Sequence, residues 1–271
     1  MTLTPPPPQQ TPNSPRRVLI VGNYCHDVLI QNGTVVAETL GGAASFISNV
    51  LDSSSVSCDL ISKVGRDFKY DVAHPPIVAP EKETTVFEAY FDLAADRLVD
   101  LKESGFRHLM GKIGFLKASS DEALFMDVEE MRRLCCVVVT SGEKGCRIYD
   151  KDDETVVPPF VAKQVDPTGA GDSFLGGLVV GLVEGLDVPD AALLGNLFGS
   201  ITVEHIGQPK FDSMMLQKVK DEVQRRKKQC ILSSSHNNDH DEFHARLSPA
   251  RFQHSPLQPK LLINGHLCDR S

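Results

Sequence analysis

From residue 16 onward the apolar positions fall into two rhythms. Short apolar runs ended by glycine or polar residues read as buried strands: RRVLIVGNY (16–24), CDLISKVG (58–65) and IGFLKAS (113–119). TTVFEAYFD (84–92) alternates partly and suits an antiparallel or lid strand. CVVVTSGEKGCRIYD (136–150) reads as strand, tight hairpin turn and strand. TVVPPFVAKQ (155–164) is extended, and its two prolines keep it off a central position in a sheet. Longer stretches repeat at helical spacing: GGAASFISNVL (41–51), a glycine turn entering a helix, then 120–133, 171–185, 189–205 and 212–228. Strands alternating with helices predict an α/β layered fold around a mostly parallel sheet.

The two ends depart from these rhythms. Residues 1–15 are rich in Pro, Gln and Thr and read as a disordered or polyproline-like leader. Residues 229–271 are polar and rich in His, Asn and Ser, as in a solvated tail, which leaves 16–228 as the folded domain. Cys230, His236, His240 and His244 are conceivable metal ligands, but the low-complexity context favours a plain tail. Arg225–Lys228 read as a solvated helix end, with a localisation signal as the minor reading.

Composition narrows the functions. The hydrophobic content of 41% is enough for a sizeable core. A net charge of -8 argues against a general nucleic-acid or anionic-membrane surface. No apolar run reaches the ~20 residues a membrane span needs. Proline stands where a secretory signal would carry its apolar core. The seven cysteines are odd in number and irregularly spaced, with no CxxC pair near histidine, as expected of reduced thiols in a cytoplasmic protein.

The strongest chemical signal is VDPTGAGDSFLGGLVVGL, residues 165–182. Asp166, Pro167 and Gly169 make a turn, and the apolar residues from Phe174 onward repeat at helical spacing. Gly169, Ala170 and Gly171 therefore stand at a helix N-terminus, where backbone N–H groups lack intrahelical partners and the helix dipole is positive. Their small side chains let an anion approach that backbone. Asp172 either caps this helix or acts beside the bound anion, and the flanking Gly-Ala-Gly favours the second. A dinucleotide fingerprint fails, because the third glycine would fall on Phe174, and no GxxxxGK[ST] is present.

DPTGAGDSF resembles the second signature of the ribokinase/PfkB family of sugar and nucleoside kinases. The resemblance implies a ribokinase-like α/β/α fold with a small β lid, and phosphoryl transfer from ATP with Mg²⁺. Gly169, Ala170 and Gly171 would stabilise the moving phosphoryl group, and Asp172 would accept the proton of the substrate hydroxyl. Other segments follow in family order. VLIVGNYCHD is similar to the opening strand, whose trailing Asp, here Asp27, binds substrate hydroxyls. LGGAASFISN resembles the first signature, with Gly41 and Gly42 as the di-glycine turn against the sugar. The family's Asn a few residues later is Phe46 here. KVGRDFKYD matches the Gly-x-Asp turn at Gly65 and Asp67.

FLKASSDEA looks like the stretch that organises Mg²⁺ near the phosphates, with Glu122 kept and Ser119 in place of Asn. The same residues also spell a capping box, Ser119 at N-cap and Glu122 at N3, and the two readings are compatible. Thr140, Gly142 and Gly145 match the nucleotide-side turn, although GEKG alone is an ordinary hairpin turn. Asn196 and Gly207 fall where the family builds its adenine pocket. Over the whole chain the pattern most resembles the myo-inositol kinases of plants, which implies a small polyol or sugar substrate and a monomer or homodimer.

The resemblance covers about residues 16–210 and is interrupted. Between the first signature and Asp166 the family normally carries two further strand–helix units, roughly 30 residues each. The sequence therefore implies an internal deletion around Leu93–Ala94 and a central sheet that lacks strands. A shortened chain leaves two readings: an active kinase, or an inactive member that binds nucleotide or a partner protein.

Overall fold

The computed structural model describes residues 17–90 and 112–234. The leader, the inferred deletion point and the histidine-rich tail lie outside the described residues. The first apolar run forms β1 (Val18–Val21), followed by β2 (Cys25–Gln31) and β3 (Thr34–Gly41). The last two make an antiparallel hairpin. Asn32 and Gly33 both take positive φ at its tip, the conformation a tight Asn-Gly hairpin turn requires. Next come α1 (Ala43–Ser53), β4 (Cys58–Ile61), β5 (Lys63–Val64), β6 (Ile77–Val78) and β7 (Val86–Tyr90). Strand β7 joins β2 and β3 in a three-stranded lid sheet, but it runs parallel to β2. The lid is confirmed; an antiparallel partner is not.

The second half begins with β8 (Phe115–Ser119), α2 (Ser120–Ala123), α3 (Val128–Met131), β9 (Cys136–Thr140), β10 (Cys146–Tyr149) and β11 (Glu154–Val157). The single helix expected over 120–133 is two short turns. Asp127 caps the second of them and Leu124 is 80% exposed, so the apolar spacing there does not bury one continuous face. Three long helices follow: α4 (Ala170–Glu184), α5 (Val188–Thr202) and α6 (Ser213–Ser234). Helix α6 extends past residue 228, into the stretch read as tail. No helix among the described residues is long and apolar enough to cross a membrane.

The sheet at the centre of this α/β fold is in two pieces. Strands β1 and β4 pair in parallel, and β8 to β11 form a separate four-stranded sheet with the prolines of its last strand segment at the edge. Among the described residues no ladder joins the two pieces. One core nevertheless spans them. Ile20 of β1, Val50 and Leu51 of α1, Val138 of β9, and Phe174, Leu178, Leu194 and Phe198 of the long helices belong to a single buried cluster. The opposite face of β8 and β9 is closed by α3 through Met131, packed with Leu116, Val137 and Val139. The corresponding face of β1 and β4 is open, with Leu19, Val21 and Ile61 exposed. Hydrophobic burial on the helix side thus holds together halves that no strand pairing connects among the described residues.

Candidate active site

The Asp166–Asp172 turn is held by its own backbone and by one buried carboxylate. Asp166 is 1% exposed; its Oδ1 accepts the N–H of Thr168 at 2.8 Å and its Oδ2 accepts that of Gly207 at 3.2 Å. This ties the turn to the loop after α5 and explains why an acid opens the motif. Gly169 is the N-cap of α4 with φ 74°, and a Cβ there would stand 2.3 Å from the ring of Phe46. Only glycine fits both the left-handed backbone and that contact. Phe46, where the family has Asn, is 1% exposed and forms the apolar floor of the turn. The N–H of Ala170 is bonded to Pro167 and that of Asp172 to Gly169. Within the Gly-Ala-Gly stretch the Ala170 N–H is thus engaged by the turn that precedes the helix.

Lys117 was missed by sequence reasoning. On β8, Leu116 and Ala118 are buried on one side, and Lys117 projects to the other. Its Nζ would lie 2.7 Å from a Cβ built on Gly171, so an ammonium stands at the positive end of α4. A lone lysine in a strand carries no local signal of this; only the parallel register of β8 against β9 and the packing of α4 bring it there.

Asp27 lies within β2, paired with Thr39 and Phe87, and not in a turn after the opening strand. It is 2% exposed, and its carboxylate rests on Gly41, where any Cβ would stand 1.9 Å away. Gly42, with φ 91°, caps α1 and packs against the Asn23 carbonyl. Burial pushes the Asp27 carboxyl up to about 6, the charges of Asp166 and Asp172 add to this, and a hydrogen bond from Cys25 Sγ at 2.9 Å works against it. Burial, with Asp27 beside it, also pushes the Cys25 thiol up, so it stays a neutral donor. The charges of Asp166 and Asp172 are thus both felt at the Asp27 carboxyl. His26, next to Asp27, contacts the hydroxyl of Tyr70 and lies 3.2 Å from Glu38.

The remaining expected residues line the ends of β8 and β9. Ser119 and Thr140 are paired in register. The capping box is present: Ser119 Oγ accepts the N–H of Glu122, and Glu122 Oε2 accepts that of Ser119 at 2.7 Å. Gly142 and Gly145 bound a single 3-10 turn between β9 and β10, both with positive φ. The Asn196 amide donates to the carbonyls of Val157 and Pro158, fastening α5 to the end of β11. Gly65 and Asp67 form a structural turn, in which Asp67 accepts from the N–H and hydroxyl of Thr84.

Comparison with known proteins agrees with this geometry. Residues 91–210 match the family model described as pfkB family carbohydrate kinase. The chain is 66% identical to inositol 3-kinase of Arabidopsis thaliana, over an alignment covering 99% of each protein. That alignment runs over 349 positions, well beyond the 271 residues of this chain, as an internal shortening requires. It is 36% identical to inositol 3-kinase of Oryza sativa subsp. japonica, covering 92% of this chain and 86% of that one. Among solved structures, nucleoside kinase from Burkholderia thailandensis in complex with inosine superposes with a TM-score of 0.65 at 16% identity, covering 77% of this chain and 97% of that one, a likeness of fold.

Proposed function

Because this chain belongs to the pfkB family of carbohydrate kinases, we propose that it transfers the γ-phosphoryl group of ATP to myo-inositol, at the 3-hydroxyl. The observation that carries this is the 66% identity, over 99% of both proteins, to a relative named inositol 3-kinase. The site supports the same chemistry. Phosphoryl transfer demands positioning and charge stabilisation more than covalent chemistry. Asp172, at the start of α4, takes the proton of the attacking hydroxyl. Gly169 to Gly171, at the positive end of this 15-residue helix, and the Lys117 ammonium stabilise the charge on the transferring group. Asp27 accepts hydrogen bonds from the polyol hydroxyls, with Gly41 and Gly42 fitting the ring against the backbone.

On the nucleotide side, Thr140, Gly142 and Gly145 border ATP, and Asn196 positions the strand end beside them. Glu122 is a hard oxygen donor held in place by Ser119, and one carboxylate with retained water is the coordination Mg²⁺ prefers, so these two residues fit the ion that accompanies ATP. Held by Glu122, it would neutralise phosphate charge.

The test is ADP release by the purified chain with ATP, Mg²⁺ and, separately, myo-inositol, ribose, fructose and adenosine. Turnover confined to myo-inositol is expected; turnover on another member of the panel and not on myo-inositol overturns the substrate assignment. Lys117→Met is expected to lower kcat about 100-fold with little change in the KM for inositol, because the ammonium acts on charge that develops during transfer.

A further inference from the structure

Away from the phosphate turn, three side chains from separate elements meet at one point. Asp52 lies in the last turn of α1, Cys58 opens β4, and His74 stands in the loop between β5 and β6. Cys58 Sγ is 3.6 Å from His74 Nε2 and 3.7 Å from Asp52 Oδ1, and His74 Nε2 pairs with the Asp52 carboxylate, 3.1 Å from Oδ1 and 2.9 Å from Oδ2. A tetrahedral zinc ion holds sulfur at about 2.3 Å, nitrogen at about 2.05 Å and carboxylate oxygen at about 2.0 Å, which sets the ligand–ligand edges at about 3.6, 3.5 and 3.3 Å. The triangle in this protein matches those edges to within about 0.2 Å.

We propose that Asp52, Cys58 and His74 bind one zinc ion, or a divalent ion of similar softness such as Co²⁺, with solvent in the fourth position. The donor set excludes the hard cations: a thiolate and an imidazole select zinc-like metals, whereas Mg²⁺ and Ca²⁺ take oxygen ligands. On binding, the Cys58 S–H bond gives way to a metal–sulfur bond and the proton passes to solvent. The histidine is also held in place before any ion arrives. Its carbonyl accepts the Tyr24 hydroxyl at 3.1 Å, the Tyr24 ring stacks on Phe68, and the Tyr24 N–H donates to Ser62 Oγ. These contacts fix the backbone that carries His74. The same loop carries Tyr70, which touches His26 beside Asp27. An ion here therefore fastens α1, β4 and the loop between β5 and β6 to one another.

Titration of the purified full chain with Co²⁺ tests this. One equivalent should produce the near-ultraviolet thiolate-to-cobalt band and the visible bands of tetrahedral Co²⁺, and Zn²⁺ should bleach both. Cys58→Ser should abolish the near-ultraviolet band, and His74→Gln should weaken binding about 100-fold or more. If either variant fails to fold by circular dichroism, Asp52→Asn, on a half-exposed side chain, supplies the same test. No cobalt spectrum, or a spectrum that survives these substitutions because Cys230 and the histidines beyond it supply the ligands, overturns the proposal.

Discussion

Asp172→Asn is expected to lower kcat for inositol phosphorylation by about 100- to 10,000-fold, the range a positioned general base supplies. Asparagine keeps the shape of the side chain at the start of α4, so the turn and its glycines stay in place. What it loses is the capacity to take a proton from the attacking hydroxyl. Loss of the negative charge near a helix N-terminus also removes about 0.3–1 kcal/mol of favourable interaction with the helix dipole. The melting temperature should therefore move by only a few degrees, and the KM for ATP should stay within a few-fold. Steady-state kinetics beside a thermal melt, with and without ATP, checks both parts. A large loss of kcat with an intact melt marks a base; a large loss of stability with modest loss of kcat marks a helix cap.

Asp27→Asn should raise the KM for inositol about 100-fold, as expected when a charge-assisted hydrogen bond to substrate is lost. The same change should stabilise the protein at neutral and alkaline pH. The folded-state value of Asp27 is about 6 against an ordinary 3.8, raised first by burial and then by Asp166 and Asp172. Between those two values the folded protein holds more protons than the unfolded chain, so stability falls as pH rises through this window. Above it the charged Asp27 costs up to about 3 kcal/mol, from two pKa units at about 1.4 kcal/mol each. Asparagine removes that cost, so the variant should melt higher than the parent at pH 8 and equally at pH 3.5. In the parent, the KM for inositol should climb as pH drops below about 6. A variant that melts lower at pH 8 contradicts this account of the buried charge.

The phosphate turn was legible because its signal is local: a turn, three small residues, an acid and a helix rhythm lie in one short stretch. The helices that bury most of their residues, α4 and α5, were equally legible. The β2–β3 hairpin has a strong short-range signal, Asn32-Gly33 between apolar runs, and Asp27 lies inside its first strand, where only the pairing with β3 and β7 places it. The broken helix at 124–127 followed the apolar spacing of Leu124 and Phe125, which is a helical rhythm with no core to face. Lys117 and the Cys25 thiol have no sequence signal, and Asp166 is legible only as a turn residue, because the bond from Asp166 to Gly207 and the meaning of the other two come from residues far along the chain. Phe46 was legible as a departure from the family. Its consequence was not: the ring trades a hydrogen-bonding group for an apolar floor under Gly169.

The shortening is the feature on which function turns. One core clasped by α1, α4 and α5 spans both halves, although among the described residues the sheet is divided, and the Asp172 charge is felt at the Asp27 carboxyl. The most direct test is transfer itself. The purified chain, given myo-inositol, Mg²⁺ and ATP labelled in its γ-phosphate, should move the label into inositol monophosphate, and Asp172→Asn should reduce that transfer at least about 100-fold. Label that stays in ATP, or that appears only as inorganic phosphate, would contradict the claim that this shortened chain still holds inositol in front of Asp172.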